Sequence, residues 1–139
     1  MSELSMQTTI HAPLEKIWRI ITDYDGLKKI FPILTTCNFE HSSEGFNRIF
    51  TMPNGSQLYE TISTANPCER AMYYLISDTH LSFKNYVGTM KLRALENEEC
   101  EIEWSCAFEP KEDTEESVTK MITGFYSIGF ERLKKMLCA

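Results

Sequence analysis

In the stretch LYETIS, Glu60 falls between Leu58 and Ile62 at strand spacing. In a strand these three side chains share one face, because successive residues point to opposite sides of a pleated sheet. A carboxylate on an apolar face is out of water, so it must find a donor or hold a proton. Such a group can grip the polar end of a ligand or act as a general base. The plainer alternative is a bulge that turns Glu60 to solvent. Tyr74, Tyr86 and His80 are the candidate donors. The tyrosines would otherwise be core residues with satisfied hydroxyls, and His80 an exposed loop histidine rather than an acid/base group at a pocket mouth. If the chain is an enzyme, Glu60, Tyr86 and His80 are its expected catalytic groups.

Other chemistries lack their signatures. There is no Ser-His-Asp order, phosphate loop or dinucleotide fingerprint. The three histidines, His11, His41 and His80, are far apart and form no H-E-x-x-H pattern. The five cysteines include no C-x-x-C pair. An odd count without framework spacing reads as free, mostly buried thiols in a reducing compartment, which predicts a cytoplasmic protein. No metal and no cofactor are expected.

The elements that must position these residues fit one domain spanning 1–139, long enough to bury a sizeable core. Net charge is −6, and basic residues cluster no further than pairs such as Lys28–Lys29. That argues against nucleic acid and against docking on anionic membranes. No apolar run is long enough to span a membrane, and MSELSMQTTIHAP has no secretory h-region. A monomer or weak dimer is expected.

LSMQTTIHA alternates as a half-buried strand. Pro13 opens a helix with Leu14, Ile17, Trp18 and Ile21 on one stripe, and DYDGLKKIFP reads as a break, a short second helix and a stop before Pro32. Six strand signals follow, from ILTTCNFEH to CEIEWSCAF, separated by turns. In the last, Cys100, Ile102, Trp104, Cys106 and Phe108 oppose Glu99, Glu101, Glu103 and Ser105, which means one dry face and one wet face. A long helix over Thr114–Leu137 ends the chain, with Asp113 and Glu116 at capping-box spacing. Its expected apolar stripe is Val118, Met121, Ile122, Phe125, Ile128, Gly129, Leu133 and Met136. Gly124 and Gly129 inside it mark either a close approach or space left open.

This order predicts an α+β fold: a curved antiparallel sheet of seven strands around a long C-terminal helix, with two short helices after the first strand. A sheet curled about one helix leaves a gap that side chains need not fill, and an unfilled gap is an apolar cavity.

The whole chain resembles the START-like superfamily, also called birch-pollen-allergen-like or SRPBCC, which includes polyketide cyclase/dehydrase-like and lipid-transport proteins. Ala12, Pro13, Trp18, Asp23 and Pro32 in TIHAPLEKIWRIITDYDGLKKIFP carry the likeness. It implies the helix-grip fold. The middle of the chain is similar to plant abscisic-acid receptors, with Glu60, Tyr74, Ile76, Asn85 and Tyr86 where those proteins place cavity residues or the Asn-Tyr after a latch loop. The gate equivalent is Thr51–Gly55, TMPNG rather than S-G-L-P-A; the latch equivalent is Leu81-Ser82-Phe83, within the loop Asp78–Phe83, rather than H-R-L. Thr35 stands near where a lysine would pair with that hormone's carboxylate.

The expected ligand-binding residues are therefore Leu58, Glu60, Ile62, Tyr74, Ile76, His80, Phe83, Tyr86, Met121 and Phe125. The leading expectation is binding or carriage of a small hydrophobic molecule, lipid-, polyketide- or terpenoid-like. A cyclase-, aromatase- or hydratase-like enzyme and a chaperone- or partner-binding module remain open beside it.

Overall fold

The computed structural model describes residues 2–23, 29–31, 36–42, 45–53, 55–66, 68–77 and 81–138, with backbone alone at 36–42, 45–46, 63–65 and 138. The elements run β1 (Ser2–Ile10), α1 (Leu14–Thr22), β2 (Thr36–Ser42), β3 (Gly45–Thr51), β4 (Gln57–Asn66), β5 (Ala71–Ser77), β6 (Phe83–Ala94), β7 (Cys100–Pro110) and α2 (Glu115–Cys138). Of the expected second short helix, residues 29 and 30 are helical, and the rest lies outside the described residues.

Among the described residues the strands form one antiparallel sheet in the order β1-β7-β6-β5-β4-β3-β2. Strands β2 to β7 follow one another as a meander, and β1 closes on β7. The alternation in β7 carries over to burial: Cys100, Ile102, Trp104, Cys106 and Phe108 are buried, while Glu101, Glu103 and Ser105 are partly exposed. Helix α2 packs on β1 and β7 over this apolar face.

The cap of α2 differs from the sequence expectation. Thr114 is the capping residue: its Oγ1 accepts from Ser117 N at 3.1 Å. Asp113 instead supports the turn from outside, accepting from Thr114 N at 2.8 Å. The buried face of α2 is also rotated. Val118, Ile122, Tyr126, Phe130 and Leu133 are buried, whereas Ile128 is 57% exposed. Tyr126 takes the inward place because its ring stacks on Trp104, with centroids 4.2 Å apart.

The two helix glycines serve different ends. A Cβ on Gly129 would lie 2.7 Å from Trp104 Cζ3, so this glycine lets the helix settle onto the indole. A Cβ on Gly124 would meet nothing within 4 Å. No described helix is long and apolar enough to cross a membrane.

Candidate functional site

Strand parity turns Leu58, Glu60 and Ile62 inward together; all three are buried. The irregularity in β4 comes later, between Ile62 and Thr64, so it does not disturb Glu60. Glu60 is 2% exposed, and its donor is not a tyrosine. It is Arg48, its direct cross-strand partner on β3, 1% exposed. Arg48 Nε donates to Glu60 Oε1 at 2.5 Å, and Nη2 pairs with the same oxygen. Arg48 Nη1 donates to the carbonyls of Ile21 at 3.1 Å and Asp23 at 2.7 Å. Those carbonyls sit at the C-terminal end of α1, where helical donors run out and positive charge is favoured. One guanidinium thus neutralises the carboxylate and ties α1 to the sheet.

A second polar group lies beside it. Trp104 Nε1 donates to the Tyr74 hydroxyl at 2.6 Å. The Tyr74 and Tyr86 hydroxyls are 3.3 Å apart, and the Tyr86 and Tyr126 hydroxyls are in short contact. Local backbone features place these rings. Tyr74 faces Gly88 across β5 and β6, and its ring occupies the space that a Cβ at Gly88 would fill. The register between β6 and β7 shifts between Lys84 and Val87, with Asn85 at φ 54. Asn tolerates the left-handed region better than most residues. The bulge lets Phe83 and Tyr86, three apart in sequence, both be buried on the inner face.

Burial pushes the Tyr74 phenol well above its usual range, and the Glu60 charge adds to the effect. Burial likewise raises Tyr86 and Tyr126, and the nearby Tyr74 adds to both, while the hydrogen bond with Tyr86 acts against the rise at Tyr126. All three hold their protons at neutral pH. Burial also raises the Cys106 thiol, with hydrogen bonds to Tyr126 and Tyr86 acting against it. Cys106 is therefore a poor nucleophile.

Glu60, Trp104 and the three tyrosines line a cavity of about 80 Å³ between sheet and α2. Of the expected binding residues, Leu58, Glu60, Tyr74, Ile76, Phe83, Tyr86 and Phe125 line it. Ile62 and Met121 do not: Ile62 is packed in the core, and Met121 is partly buried against it. His80 lies outside the described residues, as do Asp78 and Thr79 of its loop. The wall also contains Phe31, Met52, Leu81, Trp104, Ile122 and Tyr126.

Met52 and Leu81 come from the two loops singled out in the sequence. Met52 belongs to a turn closed by Met52 N to Ser56 O at 2.8 Å, with Gly55 at φ 89. The Leu81 segment is pinned to the end of β7 by Lys111 N donating to Ser82 O at 2.8 Å. Arg48 is the main polar residue that sequence reasoning missed. Its signal was its shared parity with Phe46 and Phe50, blurred by Ile49 on the other face.

Comparison with known proteins gives the following. The profile of a family described as polyketide cyclase/dehydrase and lipid transport matches residues 1–137. A search of curated protein sequences finds no match. Among solved structures, a Bacillus thuringiensis protein is similar at TM-score 0.87 and 22% identity, covering 99% of this chain and 100% of that one. The protein XoxI from Bacillus cereus is similar at TM-score 0.87 and 24% identity, covering 99% and 96%. Norcoclaurine synthase from Thalictrum flavum, in complex with dopamine and hydroxybenzaldehyde, is similar at TM-score 0.76 and 15% identity, covering 97% and 85%.

Proposed function

Since the chain belongs to the polyketide cyclase/dehydrase and lipid transport family, we propose that it binds and carries a small hydrophobic ligand in the cavity between α2 and the sheet. The observation that carries this reading is the make-up of the cavity. Its wall is aromatic and aliphatic, with one carboxylate and three tyrosine hydroxyls as its main polar side-chain groups. That is the usual constitution of a small-molecule site: mostly apolar surface with a few placed polar atoms.

The cavity of about 80 Å³ is smaller than the roughly 300–1,000 Å³ typical of ligand pockets. Binding therefore requires side chains to move aside. Met52, Ile76, Leu81 and Phe125 are the residues to do so, being only partly buried against the core. Met52 is flexible at three torsions and adapts readily to a new neighbour.

A second reading, a cyclase-like enzyme, draws on the same Glu60 and tyrosine cluster. The tyrosines' raised pKa values work against it, because such groups can donate hydrogen bonds but cannot act as bases near neutral pH. Glu60, held by Arg48, would be its base. The partner-module reading finds less support. The large apolar residues exposed among the described ones are Leu75, Val87 and Ile128. Leu75 and Val87 adjoin across β5 and β6, but two residues fall short of the several hundred Å² that mark an interface.

The test is a thermal-shift and dye-displacement screen against fatty acids, aromatic polycycles and terpenoids. The carrier reading expects a saturable rise in melting temperature with some members, and no turnover. It fails if no apolar compound raises the melting temperature. If Glu60→Gln abolishes a detected turnover by about 10²-fold while binding persists, the enzyme reading replaces it.

A further inference from the structure

Two groups in the cavity have hydrogen-bonding capacity that the described residues leave unused. Both Arg48 contacts go to Oε1 of Glu60. No donor among the described residues reaches Oε2, although an ionised carboxylate can accept about four hydrogen bonds. In the tyrosine cluster, three hydroxyl protons serve two hydroxyl–hydroxyl contacts. One proton is left over. Tyr74 already accepts from Trp104. If the chain of donation runs from Tyr126 through Tyr86 to Tyr74, the spare proton belongs to Tyr74, the tyrosine on which the Glu60 charge acts. Run the other way, it is spent on Cys106 Sγ, a weak acceptor.

We propose that this part of the cavity receives a neutral hydroxyl group, an alcohol or a phenol, borne on an apolar skeleton. The ligand oxygen accepts from Tyr74 and donates its own proton to Glu60 Oε2. Charge narrows the class further. Arg48 already neutralises Glu60, so an ammonium ion would enter as an unpaired buried charge, and a carboxylate would face Oε2; both are costly. An ether or ketone can accept from Tyr74 but leaves Oε2 without a proton. A hydroxyl satisfies both groups through one atom.

The inference rests on the carrier reading, and the test separates the two. Four probes on one skeleton are titrated against the wild-type chain: naphthalene, 2-methoxynaphthalene, 2-naphthol and 2-naphthoate. The expected order puts 2-naphthol tightest, by about tenfold over naphthalene and the ether, as one hydrogen bond to a charged group would give, with 2-naphthoate weakest. Glu60→Gln and, independently, Tyr74→Phe should bring 2-naphthol down to the level of the ether measured on the same variant. The wild-type ranking decides the matter even where a variant fails to fold. If naphthalene or the ether binds as tightly as 2-naphthol, or the carboxylate binds best, the hydroxyl site is refuted while the carrier reading stands. If none of the four binds, the hydroxyl site falls, and the carrier reading falls with it only if the fatty acids and terpenoids of the wider panel also leave the melting temperature unchanged.

Discussion

Helix α2 meets the sheet in two ways along its length. Toward its C-terminal end the contact is dry and full: Gly129 brings the backbone against Trp104, and Leu133, Ile102 and Ile10 are buried with no polar group among them. Toward its N-terminal end, Ile122, Phe125 and Tyr126 face a cavity that also holds Glu60 and the tyrosine hydroxyls. Trp104 is the boundary, packed on Gly129 and Tyr126 and donating its N–H to Tyr74. The difference teaches how a gap is kept. Small and aliphatic groups let one end close, whereas a buried ion pair and rings held by hydrogen bonds stop the other from collapsing.

The sharpest way to break this comparison is to remove the ion pair. Arg48→Met leaves Glu60 buried without its counter-charge and frees the carbonyls of Ile21 and Asp23. The expected loss is about 3–5 kcal/mol in urea unfolding. The double variant Arg48→Met/Glu60→Leu should regain most of it, because an apolar pair of similar volume is often no worse than a buried ion pair. A double variant as unstable as the single one would show that the carboxylate was not the cause.

Alkaline pH attacks the same end. Tyr74, Tyr86 and Tyr126 have folded-state pKa values above the ordinary 10.0. The folded state therefore holds protons that the unfolded state has released. Stability is fully present below pH 10 and declines as pH rises above it, by about 1.4 kcal/mol per pH unit for each such tyrosine. Of the six tyrosines in the chain, these three should stay silent at 295 nm until the protein unfolds. A smooth titration of all six near pH 10 with the fold intact would contradict their burial.

Smaller effects test the packing. Gly88→Ala forces the Tyr74 ring off its place and should cost about 1–3 kcal/mol. Gly129→Ala meets Trp104, so overpacking of similar size is partly offset by about 1 kcal/mol of helix propensity. Gly124→Ala meets no obstacle and should stabilise by up to about 1 kcal/mol. Opposite signs for the two helix glycines in chemical denaturation are the expected result. Equal gains would mean that the dry end is looser than described.

Much of this was legible in the sequence, for physical reasons. In β7 every second residue is apolar and the other face is mostly acidic, so only one orientation buries the right side. The inward turn of Glu60 follows from the same period of two. Arg48 was harder, because FNRIF has apolar residues on both parities and the pairing with Glu60 depends on strand register. The inward placing of both Phe83 and Tyr86 breaks strict alternation and depends on the bulge at Asn85, whose sign is one polar residue. On α2, Tyr126 and Ile128 compete for the buried side; hydrophobicity favours Ile128, but the stack on Trp104 decides for Tyr126.

The measurement that bears most directly on the account is methyl NMR of methionine-labelled protein titrated with an apolar ligand. Met52 lines the cavity, whereas Met72 is buried in the core away from its wall. The account predicts that the Met52 signal shifts and saturates at one equivalent while the Met72 signal stays in place. A Met52 signal unmoved by every ligand in the panel, or an equal shift at Met72, would contradict the claim that the space under α2 is open at one end and closed at the other.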